Sequence, residues 1–190
     1  SEQPRRRIED IAADCLAAMR AHQPRGPYRI AGYSSAGIVA YEMARQLAAD
    51  GEKVGLLALL DSFSPLAARR RRPASKSLRR LSLRKLQERV YHTVLSPLGL
   101  SCLRRLRNIG EAQRWAYWSY RPRPHVGGAS LFVASASLEL VTEPTLGWAR
   151  LIRGPIRMQH LAGGHSSIMK PPGVAELAAT LQAQLDEAPA

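Results

Sequence analysis

A sharp strand-to-helix turn at residues 32–37 constrains the fold of this chain most. An aromatic and β-branched run begins at Tyr28, the segment GYSSAG forms the corner around Ser34, and apolar residues with helical spacing follow. Small neighbours are needed at such a corner because the strand and the helix pass closely while a serine hydroxyl stands above the sheet. The pattern therefore predicts Ser34 as a nucleophile and the backbone N–H of Ser35 as an oxyanion-hole donor.

Two further polar residues complete this arrangement. A serine hydroxyl becomes a strong nucleophile only when an imidazole takes its proton, and the imidazole needs a carboxylate to orient it. The apolar run VGLLALL predicts a strand buried on both faces, and it ends at Asp61. Residues 156–161 predict another strand, and the loop AGGHSS that follows it carries His165. Because parallel strands end at one edge of a sheet, the order along the chain predicts Ser34 as nucleophile, Asp61 as orienting acid and His165 as base.

Each of these residues has an ordinary structural interpretation when it is taken alone. Serine is common in tight turns, aspartate often caps a strand end, and a loop histidine often has no chemical role. Their joint occurrence after successive predicted strands favours a hydrolase site. Ser35 is the rival nucleophile, but its side chain is expected to point toward the helix. The remaining histidines are interpreted as structural: His22, His92, His125 and His160.

The periodicity predicts a single α/β domain over residues 1–190. Its 45% hydrophobic content is sufficient to bury one core at this length. A helix is expected at Ile8–Ala21. The predicted parallel strands are Tyr28–Gly32, Val54–Leu60, Ala129–Ala134 and Pro155–Leu161.

The sequence also bears on the compartment. It contains no run of 18 apolar residues and no secretory signal pattern. Cys15 and Cys102 have no metal-ligand spacing, which favours two reduced thiols. We therefore expect a cytoplasmic protein without a membrane partner.

Positive charge is concentrated between Leu66 and Pro124. This window contains 16 Lys and Arg residues, and Glu88 and Glu111 are its only acidic residues, so it carries a net charge of 16 − 2 = +14. Because the whole chain has a formal net charge of +13, the remaining residues sum to −1. It also interrupts the alternation of strands and helices. A solvated arginine-rich surface, a docking surface for an acidic protein, and a nucleic-acid or anionic-membrane surface are the three interpretations. The position of the window close behind Asp61 argues against a nucleic-acid partner.

Four segments, in the order GYSSAG, VAYEMARQL, LLALLDS and GGHSSIM, resemble the thioesterase domains that terminate nonribosomal peptide and polyketide assembly lines. These domains have the α/β-hydrolase fold. The resemblance implies that Ser34 accepts an acyl or peptidyl chain from the phosphopantetheine thiol of a carrier protein, with His165 as base and Asp61 as its partner. Release would follow by hydrolysis or by macrocyclisation. The domain would bind no cofactor itself, because the carrier holds the phosphopantetheine.

The resemblance also implies a structural role for the basic window and a missing segment at the start of the chain. In the family, an insertion at about residues 66–124 forms a helical lid over the acyl channel. Family members also carry earlier strands and a Gly-rich loop with the second oxyanion-hole N–H, and no residue here corresponds to them. We therefore expect an N-terminally incomplete α/β-hydrolase fold, as part of a longer polypeptide or beside a complementary chain.

Two other functions are compatible with the same residues. A general serine esterase of this fold would act on small soluble esters. An inactive fragment would serve only as a binding partner for an acyl carrier or for a complementary chain.

Overall fold

The computed structural model describes residues 7–70 and 112–187. Four strands form one sheet in the order β1-β2-β3-β4, and every neighbouring pair is parallel. The predicted parallel sheet is therefore confirmed, and the predicted ends differ from the observed ones by one residue at Tyr33 and at Pro155. The strands are β1 Tyr28–Tyr33, β2 Val54–Leu60, β3 Ala129–Ala134 and β4 Ile156–Leu161.

Helices connect and cover these strands, as the α/β pattern predicts. The helix predicted at residues 8–21 ends one residue later, at His22. A short 3-10 helix, Trp148–Arg150, precedes β4. The α-helices are α1 Ile8–His22, α2 Ala36–Ala49, α3 Pro65–Arg70, α4 at residues 112–119, α5 Ser135–Leu138 and α6 Gly173–Glu187.

The core has two apolar layers because β2 buries both of its faces. Leu57 and Leu59 point into the larger layer, which lies under α1 and α2. Ala58 and Leu60 alternate with them and pack in the smaller layer under α6. This alternation explains why VGLLALL is apolar throughout, as expected for a parallel strand covered on both sides.

The centre of the basic window, residues 71–111, lies outside the described part of the chain. The predicted lid therefore has only its two ends in the structure, α3 and α4. Among the described helices, none is long and apolar enough to cross a membrane.

Candidate active site

The predicted turn between β1 and α2 places Ser34 at a tight corner. Ser34 has a left-handed backbone, with a φ of 56°, which is costly for a residue other than glycine and is typical of a serine held out from a strand-to-helix elbow. A Cβ on Gly32 would lie 2.6 Å from the carbonyl oxygen of Ala36, and a Cβ on Gly37 would collide with Ser62. The two glycines therefore permit the close approach that the corner requires.

Asp61 lies at the end of β2 and is completely buried. Its Oδ1 accepts a hydrogen bond from the backbone N–H of Ala134 at 3.0 Å, and its Oδ2 accepts one from the hydroxyl of Ser137 at 2.8 Å. The backbone N–H of Asp61 donates to the carbonyl of Phe132 at 2.7 Å. These contacts hold the carboxylate in one orientation beneath the loop that follows β4.

His165 lies on that loop and connects the two other predicted residues. Its Nδ1 is 2.7 Å from Oδ2 of Asp61, and its Nε2 is 3.0 Å from Oγ of Ser34. A carboxylate can only accept, so Nδ1 of the neutral ring carries the proton and Nε2 presents a lone pair to the serine hydroxyl. The structure thus brings together the side chains of Ser34, Asp61 and His165 at the carboxyl edge of the sheet.

Ser35 lies directly after the corner, as the N-cap residue of α2. The first N–H groups of a helix have no intrahelical partner, and the positive end of the helix dipole favours a negative charge there. The backbone N–H of Ser35 is therefore in a position where a developing oxyanion next to Ser34 could be stabilised. Ser35 also lines a cavity of about 310 Å³.

The sequence reasoning missed two residues that contact this group. The ring of Tyr33 stacks on the ring of His165, with centroids 4.8 Å apart and planes 17° apart, and its hydroxyl donates to the His165 carbonyl at 2.7 Å. Burial, and then the charge of Asp61, raise the pKa of the Tyr33 phenol, so it remains a donor. Ser137, the donor to Asp61, lies on α5. Tyr33 adjoins Ser34 in sequence, but its partner is 132 residues away, so no local pattern identified the contact.

The other described histidines lie away from this site. His22 ends α1 and His160 lies within β4, while His92 is outside the described residues. His125 is buried, and both of its ring nitrogens lack a hydrogen-bond partner among the described residues. Within residues 7–70 and 112–187, no group of three His, Cys, Asp or Glu side chains could hold a metal ion.

The chain is similar in sequence to part of several larger synthases. The nonribosomal peptide synthetase atqA of Aspergillus terreus is 28% identical over 98% of this chain and 24% of its own length. The non-reducing polyketide synthase atnG of Arthrinium sp. is 29% identical over 93% of this chain and 10% of its own length. The chain thus spans a quarter or less of the curated relatives that it matches.

Solved structures share the fold. The NocB thioesterase domain from the nocardicin cluster superposes with a TM-score of 0.68 at 22% identity, over 98% of this chain and 77% of that domain. The sheet and its flanking helices are therefore those of an α/β-hydrolase. The family model described as "Thioesterase domain" matches residues 1–185. The chain belongs to the thioesterase domain family, of the type found in nonribosomal peptide and polyketide synthases.

Proposed function

We propose that this domain releases an acyl or peptidyl chain from the phosphopantetheine thioester of a carrier protein. In this proposal Ser34 is the nucleophile, His165 is the general base and Asp61 orients the imidazole. The N–H of Ser35 is one donor to the oxyanion. Membership of the thioesterase family supports the reaction type, and the synthase relatives support a carrier-bound substrate.

The first half of the reaction transfers the acyl group to Ser34. Oγ attacks the thioester carbonyl while Nε2 of His165 takes the hydroxyl proton, which forms a tetrahedral oxyanion. The carbonyl reforms, the carbon–sulfur bond breaks, and the imidazolium gives its proton to the departing thiolate. Asp61 stabilises the imidazolium through Nδ1 and does not itself take up the proton. The products of this step are the acyl-serine ester and the free pantetheine thiol.

The second half returns Ser34 to its free state. A water molecule, or a hydroxyl or amine of the acyl chain itself, gives a proton to His165 and attacks the ester carbonyl. The ester bond breaks and Ser34 recovers its proton from the imidazolium. Attack by water gives a linear acid, whereas internal attack gives a macrocycle that is lighter by one water.

The observation that carries this proposal is the continuous hydrogen-bonded path from Oγ of Ser34 through His165 to the buried Asp61, with distances of 3.0 and 2.7 Å. Both distances are within the range required for proton transfer between positioned groups. The path ends in a carboxylate that is fully shielded from solvent. Because a carboxylate only accepts, its hydrogen bond with Nδ1 favours the tautomer that carries the proton on Nδ1.

The test uses a carrier protein loaded through phosphopantetheine with an acyl chain. We expect the wild-type domain to generate free carrier thiol and a released acid or macrocycle, both measured by mass spectrometry. Ser34→Ala should release neither. Ser35→Ala is the matched variant for the adjacent serine, and it should still release product because it keeps the backbone N–H.

Other outcomes would favour the alternatives. Rapid cleavage of p-nitrophenyl esters with no activity toward thioesters would indicate a general esterase and contradict the proposal. Tight binding of the loaded carrier without any release would indicate a binding partner and contradict it as well.

A further inference from the structure

The short helix α5, Ser135–Leu138, contacts the acid of the candidate active site. Ser137 is 2% exposed and donates its hydroxyl to Oδ2 of Asp61 at 2.8 Å. Ala134, the residue just before the helix, donates its backbone N–H to Oδ1 at 3.0 Å. This end of β3 and the helix that follows it therefore hold both oxygens of the carboxylate.

The same helix also holds the loop that carries His165. The hydroxyl of Ser135 donates to the carbonyl of Gly163 at 3.1 Å and accepts from the N–H of Gly163 at 3.0 Å. The backbone N–H of Ala136 donates to the same carbonyl at 3.0 Å. Because a hydroxyl can donate and accept at once, one serine side chain makes both bonds to the backbone just before the imidazole.

Hydrogen bonds inside the loop connect this anchor to the imidazole. Oγ of Ser167 accepts from the N–H of Gly164 at 2.7 Å and donates to its carbonyl at 3.0 Å, so the chain on both sides of His165 is closed into one turn. Gly163 has a φ of 96°, and a Cβ there would lie 2.5 Å from Oγ of Ser167, so the anchored position requires glycine. A displacement of Gly163 therefore also moves the imidazole.

Helix α5 is thus the middle of one path between the acid and the base. Ser137 links the helix to Asp61, and Ser135 links it to the loop of His165. The side chain of His165 is 43% exposed, whereas that of Asp61 is completely buried, so the base depends more on its loop for a fixed position. A site works well only when its groups are held in place by residues that are themselves fixed. Because the two links are in series, breaking either one breaks the path.

We propose, on the basis of the function proposed above, that α5 sets the geometry between the imidazole of His165 and the carboxylate of Asp61, with Ser135 and Ser137 as positioning residues. Neither serine touches the reacting atoms. Together they keep Nδ1 and Oδ2 at a separation of 2.7 Å, which directs Nε2 toward Ser34. Because both hydroxyls face the acid and the loop backbone, we expect their loss to change kcat and not KM.

The test measures kcat and KM for acetyl-pantetheine and for p-nitrophenyl acetate. Ser137→Ala and Ser135→Val each remove one hydroxyl and should each lower kcat about tenfold, with KM within about twofold of the wild type. The double variant should also be about tenfold slower, because one change already breaks a path in series. A loss of about a hundredfold in the double variant, the product of independent effects, would overturn the shared path. An unchanged kcat in either single variant would overturn the role of that serine.

Two matched variants separate positioning from a general loss of structure. Ser135→Thr has the shape of Ser135→Val but keeps the hydroxyl, so its kcat should be within about twofold of the wild type. Ser130 is another buried serine, 4% exposed, and lies in β3 toward the opposite edge of the sheet. Ser130→Ala should leave kcat unchanged. If Ser135→Thr is as slow as Ser135→Val, the hydroxyl of Ser135 is not the link.

A second readout does not depend on turnover. Proton NMR reports the Nδ1 proton of His165 as a far-downfield signal whose shift follows its hydrogen bond to Asp61, and its absence from His165→Ala assigns it. We expect the signal to move upfield in Ser137→Ala and Ser135→Val but not in Ser130→Ala. The same signal in all three would overturn the proposal. If the wild type cleaves the ester but not the thioester, the function proposed above has failed, while both readouts still test α5.

Discussion

Two polar networks meet at α2, and they differ in how they end. The network at the amino end of the helix runs from a fully buried Asp61 to His165, whose side chain is 43% exposed, and on to the hydroxyl of Ser34. The network one to two turns further along is centred on Glu42, which is 1% exposed and surrounded by donors. The first network, which we call the open network, ends in a solvent-exposed imidazole beside the hydroxyl of Ser34 that we propose as the nucleophile. The second, which we call the closed network, has the buried carboxylate of Glu42 at its centre with donors from Arg45, Gln46 and Tyr120, so we expect it to contribute to stability.

Removing Ser34 or His165, at the open end of the first network, should have the largest effect, and the effect should be on kcat. Ser34→Ala and His165→Ala should each lower kcat on the order of 10⁵-fold, and the double variant should be no worse, because the groups act as a unit. Asp61→Asn should cost about 10⁴-fold by favouring the wrong tautomer. Steady-state thioester hydrolysis measures all four. A His165→Ala variant with a normal rate would refute the assigned base.

Removing the centre of the closed network should affect stability instead. Glu42→Ala leaves the charge of Arg45 and the hydroxyl of Tyr120 without their partner, and we expect it to lower the free energy of unfolding by about 3 kcal/mol or more. Urea denaturation measures this. The exposed pair between Arg157 and Glu187 is the control, and Glu187→Ala should cost less than about 1 kcal/mol. If Glu42→Ala and Glu187→Ala lower the free energy of unfolding equally, then the buried pair is no more important for stability than the exposed pair, which would contradict this prediction.

Substitution of Tyr33 tests whether its ring and hydroxyl help to position the imidazole of His165. Tyr33→Leu removes both the ring stack on His165 and the hydrogen bond to its carbonyl, and we expect kcat to fall up to about 100-fold through misplacement of the base. Tyr33→Phe keeps the stack and should recover most of that loss. A Leu variant with kcat within twofold of the wild type would show that Asp61 alone positions the imidazole.

Replacing His125 should have the smallest effect, and we expect it only in how stability depends on pH. Burial, followed by the positive charge of Arg45, lowers its pKa from the ordinary value of 6.5. Below pH 6.5 the unfolded chain therefore takes up a proton that the folded protein refuses, so stability falls, by at most about 1.4 kcal/mol per pH unit. His125→Gln should flatten this slope when urea midpoints are measured between pH 7 and pH 5. A slope unchanged in the variant would assign the pH dependence to other groups.

The sequence predicted the open network better than the closed one. Strands β2 and β3 were predicted at both ends, because their apolar runs stop at polar or turn-forming residues. The meeting of Ser34, Asp61 and His165 was expected because each follows a strand, and parallel strands share one edge. No comparable rule predicts which residues meet in the closed network around Glu42. Glu42 lies in a helical segment with ordinary spacing, and its partner Tyr120 is 78 residues away.

The same physical reason explains the missed contacts of the open network. Ser137 binds Asp61 across 76 residues, and short serine-rich segments are typical of many turns. Local periodicity indicates which face of a strand or helix is buried, but the choice of one hydrogen-bond donor over another depends on tertiary packing. Such pairs emerge only when the elements are placed side by side.

The central claim is that Ser34 carries the acyl group between the two halves of the reaction. The most direct measurement is peptide mapping by mass spectrometry after rapid acid quenching of the domain with decanoyl-pantetheine. The account predicts a decanoyl mass increment on Ser34, absent from Ser34→Ala and strongly reduced in His165→Ala. An increment on Ser35, or one that persists in Ser34→Ala, would contradict it.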